Sequence, residues 1–204
     1  MDSVQKAFIM ENFLNEQELT KLDNISAVVP KQVNYHKTEI YTSGFEYNLI
    51  KSIVHEKLKN MFGDFNVRDC MILEQMAPWS IHTDYDKGDM EPTVACLMPI
   101  EIGTQDSYTV VFNEEAKANK EILELPDSKN KLDEQTLAML DHCPVKELQK
   151  VSLLDAYKWK RGSLICWSRK LLHASHNFKK SNVDKRKALV LFLNKDWKET
   201  WKKK

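Results

Sequence analysis

Apolar and polar positions follow two different rhythms along the chain. Up to Gly63 the spacing is helical: Leu19, Leu22 and Ile25 follow Asn15-Glu16-Gln17-Glu18, and Tyr47, Ile50, Ile53, Val54, Leu58 and Met61 follow Ser43-Gly44-Phe45-Glu46. Each tetrapeptide has a capping side chain with Glu three positions on, the reciprocal arrangement that opens a helix. Gly63 is expected to close the second helix as a left-handed cap. Both helices carry an apolar stripe that needs a sheet to cover it. Ahead of them, Phe8 to Leu14 reads as a short strand or lead-in segment.

After Gly63 the texture changes to short apolar runs separated by Pro, Gly and Asp: Asp69–Gln75, Trp79–Asp84, Thr93–Pro99, Tyr108–Phe112, Ser163–Ser168 and Ala188–Asn194. These are predicted strands, and several are almost continuously apolar, as strands covered on both faces are. Between about 114 and 157 the pattern turns charged and helical, with Leu123-Glu124-Leu125-Pro126 ending one helix and Leu132, Leu137 and Leu140 marking another before Pro144. This stretch reads as an insertion between core strands, either a lid over the site or a structural excursion. The class is therefore mainly β with flanking helices (α+β).

With 204 residues and 42% hydrophobic content, the chain is expected to form one domain. Thirty basic residues balance thirty acidic ones, so net charge gives no reason to expect nucleic acid as a partner. The C-terminal stretch Lys195 to Lys204, lysines with Trp197 and Trp201, reads either as a local contact for nucleic acid or an acidic partner, or as a solvated tail. Cys70, Cys96, Cys143 and Cys166 are widely separated and no N-terminal apolar leader is seen, which argues for a reducing cytoplasmic location over a secreted disulfide scaffold. No apolar stretch has the length of a membrane span.

The chemistry is concentrated in His82-Thr83-Asp84, followed far downstream by His173 and, thirteen residues later, by Arg186. In an extended strand, residues two apart share a face, so His82 and Asp84 are expected to reach one metal ion, with His173 supplied by another strand. Two imidazoles and one carboxylate on one face make the facial triad of non-haem Fe(II) oxygenases, which leaves coordination positions open. His176 competes with His173 for the ligand role, and Asp86 is an outer-shell candidate. His36, His55 and His142 read as surface or packing residues. Trp79, Tyr85, Tyr108, Trp159 and Trp167 are candidates for lining a substrate pocket or for core packing, and Arg161 and Arg169 for surface charge or for gripping an anionic substrate.

In this order of residues the chain resembles the Fe(II)/2-oxoglutarate-dependent oxygenases, from about Leu73 to Asn194. Trp79 stands where prolyl-hydroxylase-type members often have an aromatic residue, Thr109–Asn113 looks like a strand following the first ligand pair, and Gly162–Phe178 is similar to the family's glycine-led strand and distal-histidine segment. His173-Ala174-Ser175, Asn177 and Arg186-Lys187-Ala188 look most like the phytanoyl-CoA-hydroxylase branch. The resemblance implies a double-stranded β-helix, or distorted cupin-like jelly roll, backed by the N-terminal helices. It implies His82, Asp84 and His173 as catalytic metal ligands for Fe(II), 2-oxoglutarate as cosubstrate and O2 as oxidant. Arg186 and Ser175 would hold the cosubstrate's far carboxylate, with Gln75 and Thr93 as further candidates for contacting it. The implied activity is a dioxygenase that hydroxylates a small molecule, an amino acid or a nucleobase, with succinate and CO2 as co-products. Asp at position 84 disfavours a halogenase of this family, which vacates that position. Two readings from other classes stand beside it: a non-redox metal- or carbohydrate-binding jelly roll, and a Zn-dependent hydrolase.

Overall fold

The computed structural model describes residues 6–29, 47–85, 93–103 and 106–194, together with the backbone of 32–33 and 39–41. Along the chain run β1 (Ala7–Met10), α1 (Glu16–Val28), β2 (Gln32–Val33), β3 (Glu39–Tyr41), α2 (Asn48–Phe62), β4 (Asn66–Gln75), β5 (Thr93–Glu101) and β6 (Tyr108–Glu115). After β6 come α3 (Glu134–Met139), α4 (Val145–Leu148), β7 (Leu153–Lys158), β8 (Leu164–Ser168), β9 (Leu171–Ser175) and β10 (Arg186–Asn194). The strands form a seven-stranded sheet, ordered β1-β8-β5-β10-β4-β3-β2, and a three-stranded sheet, ordered β7-β6-β9. Neighbouring strands in both sheets are antiparallel. The two share no strand, so the jelly roll is an open sandwich and not a closed barrel.

The near-continuous apolar runs have their cause in the layering. On β5 and β10, Val94, Cys96, Met98, Leu189, Leu191 and Leu193 face the helices, where they meet Leu19, Leu22, Ile50, Val54 and Leu58. The alternate positions Ala95, Leu97, Ala188 and Val190 face the small sheet and pack with Val111, Tyr157, Trp159 and Trp167. With both faces buried, the period of two disappears from the hydrophobicity pattern.

At the start of α1 the Asn15 carbonyl side chain accepts from Glu18 N–H (3.0 Å) and the Glu18 carboxylate accepts from Asn15 N–H (2.8 Å), the reciprocal cap read from the sequence. The cap expected at Ser43–Glu46 lies outside the described residues; α2 starts after Tyr47 without a side-chain cap. Gly63 ends α2 with φ +70° and ψ −155°, a glycine-tolerated extended conformation and not the left-handed helical cap. Gly162, with φ +76°, seats the approach to β8: it donates to the Pro99 carbonyl (3.0 Å) and accepts from Leu14 N–H (2.8 Å), and a Cβ there would stand 2.6 Å from the Leu14 oxygen.

Two further expectations change. Trp79–Asp84 is not a strand; it is a loop with one bridge, His82 to His173. The insertion is shorter, because β6 runs on to Glu115 and β7 takes Leu153–Lys158, leaving residues 116–152 with a 3-10 turn at Asn119–Glu124, α3 and α4. Its Ala116, Ile122, Leu140, Cys143 and Val151 pack on Val110, Phe112, Leu172 and Ala174, the outward-facing positions of β6 and β9. The excursion therefore backs the small sheet. The described residues lining the cavity between the sheets come from outside it.

Candidate metal centre

His173 lies mid-way along β9 and points between the sheets, while its neighbours Leu172 and Ala174 face outward. His82 is locked beside it by a reciprocal pair of backbone hydrogen bonds, each 2.9 Å. The two rings lie 4.2 Å apart between centroids. Each Nδ1 faces a backbone carbonyl two residues back, His82 that of Ser80 (2.8 Å) and His173 that of Leu171 (3.1 Å). A carbonyl oxygen can only accept, so Nδ1 carries the proton in both rings and each Nε2 presents a lone pair.

Those two Nε2 atoms converge on Asp84: His173 Nε2 is 3.3 Å from one carboxylate oxygen and His82 Nε2 is 3.9 Å from the other. One donor atom from each of the three residues lies within 4.8 Å of the others. Two imidazole Nε2 atoms and a carboxylate facing one another form a donor set that could hold a divalent cation. The electrostatics agree, since burial and the adjacent His173 push the His82 imidazole down to about 4, against the opposing pull of Asp84 and the Ser80 carbonyl. Trp79 and Trp167 close the site laterally, with ring centroids 4.7 Å from His82 and 4.9 Å from His173 respectively.

The same cavity, about 240 Å³, reaches from the triad to Arg186 at the start of β10. Arg186 is only 3% exposed. Its Nε donates to Gln75 Oε1 (2.6 Å), one Nη to the Ser107 hydroxyl (2.9 Å) and the Tyr108 carbonyl (3.0 Å), and the other Nη to the Ser175 hydroxyl (2.7 Å). The guanidinium also lies 4.0 Å from the Trp159 ring centroid and 5.0 Å from that of Phe178. Gln75 is the cross-strand partner of Arg186 and donates its amide N–H to the Ser175 hydroxyl (2.8 Å). Ser175, two residues beyond His173 on the same strand face, thus links the His–Asp cluster to the arginine.

Thr93 is not brought to this group. It pairs with Asn194 at the far end of β10, about 26 Å along the ladder from Arg186. The threonine on the cavity wall is Thr109, whose hydroxyl accepts from Trp159 Nε1 (2.8 Å). Sequence reasoning missed it, and missed Ser107; the usable signal was the strand itself, since Thr109 and Ser175 are register partners. His176 stands outside the triad, edge-on to Tyr108, and burial and the Arg186 charge lower its basicity. His142 touches the Trp79 carbonyl (3.1 Å) from the insertion, and His55 bonds the Tyr47 hydroxyl (2.9 Å) on α2. Arg161 ties β8's approach to α1 through Glu16 and Asp23. Asp86, His36 and the C-terminal lysine–tryptophan stretch lie outside the described residues. Among the described residues no helix is long and apolar enough to cross a membrane.

Comparison with solved structures agrees with this architecture. The fold is that of an oxidoreductase of the 2OG-Fe(II) oxygenase family from Burkholderia pseudomallei, with TM-score 0.58 and 11% identity over 94% of this chain and 86% of that one. It is also that of the non-heme alpha ketoglutarate dependent epimerase SnoN from nogalamycin biosynthesis, with TM-score 0.61 and 9% identity over 94% and 79% of the two chains. HygX from Streptomyces hygroscopicus, solved with nickel and 2-oxoglutarate bound, gives TM-score 0.59 and 10% identity over 94% and 84%. At these identities the likeness is one of fold. No protein-family model and no curated protein matches the chain.

Proposed function

We propose that this chain is an Fe(II)- and 2-oxoglutarate-dependent dioxygenase that hydroxylates a small molecule, with His82, Asp84 and His173 as metal ligands and Arg186, Ser175 and Gln75 gripping the cosubstrate. The observation that carries the reading is the sharing of one cavity by an acceptor-only triad and a buried arginine. Fe(II) with 2-oxoglutarate and O2 supplies the oxidising power to attack a C–H bond, with succinate and CO2 released.

The chain's own residues have separable tasks. The arginine fork suits the distal carboxylate of a dicarboxylate such as 2-oxoglutarate. The Ser175 oxygen already accepts from Arg186 and from Gln75, which uses both of its lone pairs and leaves its hydroxyl proton to be donated to a cosubstrate oxygen. Met71, Leu97, Val190 and Phe192 line the cavity with apolar surface that excludes water around the reacting groups. Asp84 is the one carboxylate among the described cavity residues, so no second carboxylate stands ready as general base for a hydrolase.

Anaerobic titration tests the reading. Fe(II) and 2-oxoglutarate together are expected to produce a weak visible charge-transfer band that His82→Ala abolishes. With a substrate, succinate release should require O2, and its product is expected to carry a new hydroxyl. Absence of the band in the wild-type protein would refute the proposal.

A further inference from the structure

The carboxylate ligand stands on a loop, yet the backbone on either side of it is held from three directions. Thr83 N–H donates to the side-chain oxygen of Asn119 (2.7 Å), at the first residue of the 3-10 turn in the insertion. The Thr83 hydroxyl donates to the Arg169 carbonyl (2.8 Å), lies 3.3 Å from the Ala116 carbonyl, and accepts from Tyr85 N–H (3.2 Å). Arg169, in the turn between β8 and β9, donates from its guanidinium to the carbonyl of Asp84 itself. The junction is closed by Ala116 N–H on the Lys170 carbonyl (3.0 Å).

From these contacts we infer that Asn119 is a positioning residue for the metal-binding carboxylate, and that the insertion's function is to aim Asp84. The inference rests on the metal reading above. A strand would orient Asp84 through ladder hydrogen bonds, but here the ladder stops at His82. Backbone conformation at 83–85 therefore depends on side chains from outside, and Asn119 provides the only one of these contacts that comes from an exposed residue among those described. Its side chain acts on the His82–Thr83 peptide, at the point where the bridge ends and the loop carrying Asp84 begins. Supporting groups of this kind typically change metal affinity by about 10- to 100-fold.

The test compares Fe(II) affinity of wild type, Asn119→Ala and Asn119→Asp by anaerobic titration with saturating 2-oxoglutarate, alongside thermal melting of the metal-free proteins. Asn119→Ala is expected to bind Fe(II) at least about tenfold more weakly with metal-free melting unchanged, because an exposed side chain contributes little to stability. Asn119→Asp keeps an acceptor for Thr83 N–H and should restore affinity to within about threefold of wild type. Wild-type binding matched by Asn119→Ala overturns the inference while leaving the metal reading intact. Weakened binding with an equal loss of melting temperature and no rescue by Asp also overturns it, by making Asn119 a structural residue. Failure of the wild-type protein itself to bind Fe(II) overturns both.

Discussion

Ser175→Ala isolates the link between the proposed metal ligands and Arg186 with the removal of a single oxygen atom. That oxygen accepts from the guanidinium at 2.7 Å and from Gln75 at 2.8 Å, both within a buried network. Losing a hydrogen bond to a charged group costs about 1.5–3 kcal/mol, so the variant should melt roughly 3–12 °C lower in a chain of this size. If the Ser175 proton is also donated to the cosubstrate, 2-oxoglutarate binding loses a similar amount, about 10- to 100-fold in Kd. Fe(II) affinity without cosubstrate should not move, since neither imidazole touches Ser175. Ser107→Ala is the matched control: it removes a 2.9 Å contact from the same guanidinium, but Ser107 lies off the cavity wall. That variant should lose stability while keeping its 2-oxoglutarate Kd within about threefold of wild type. Anaerobic titration of the charge-transfer band with 2-oxoglutarate reads both. Unchanged cosubstrate affinity in Ser175→Ala, or equal weakening in the two variants, refutes the reasoning.

The metal-free protein should lose stability in acid through His82. Its folded value of about 4 lies below the ordinary 6.5, so the unfolded chain takes up the proton first; the full contribution is present above pH 6.5, is lost as pH falls toward 4, and levels off below. The 2.5-unit gap corresponds to at most about 3 kcal/mol, measurable by urea unfolding at pH 7 and pH 4.5, and His82→Gln should flatten that difference. Equal pH dependence in the two proteins would count against the buried, neutral imidazole. Gly162→Ala should lower stability by roughly 2–4 kcal/mol, because φ +76° and the 2.6 Å approach to the Leu14 oxygen both oppose a Cβ; unaltered urea unfolding would contradict this.

What the sequence disclosed follows the range of the interactions involved. The α1 cap is local, four residues speaking to one another, and it stands as read. β5 and β10 were visible because burial on both faces leaves long apolar runs. β7 was hidden: Leu153-Leu154-Asp155-Ala156-Tyr157-Lys158 places a charge mid-strand at an edge of the small sheet, so it merged with the charged insertion. The triad's order was legible, but the local picture behind it was not, since a strand was expected to aim His82 and Asp84 together. Only a tertiary junction at Thr83 explains how a loop does so. Thr93 stands away from Arg186 for a related reason. Its parity on β5 faces the right side, but distance along a strand is fixed by register with β10, which no single segment encodes.

β10, hydrogen-bonded on one edge to β4 and on the other to β5, lies at the centre of the large sheet. Its amides belong with the last to exchange with solvent, whereas those around Asp84, held by side chains, belong to a unit that opens at lower free energy. Arg186 and Asp84 therefore sit in regions of unequal local stability. Local opening can release the loop that carries Asp84 while the seven-stranded scaffold stays shut.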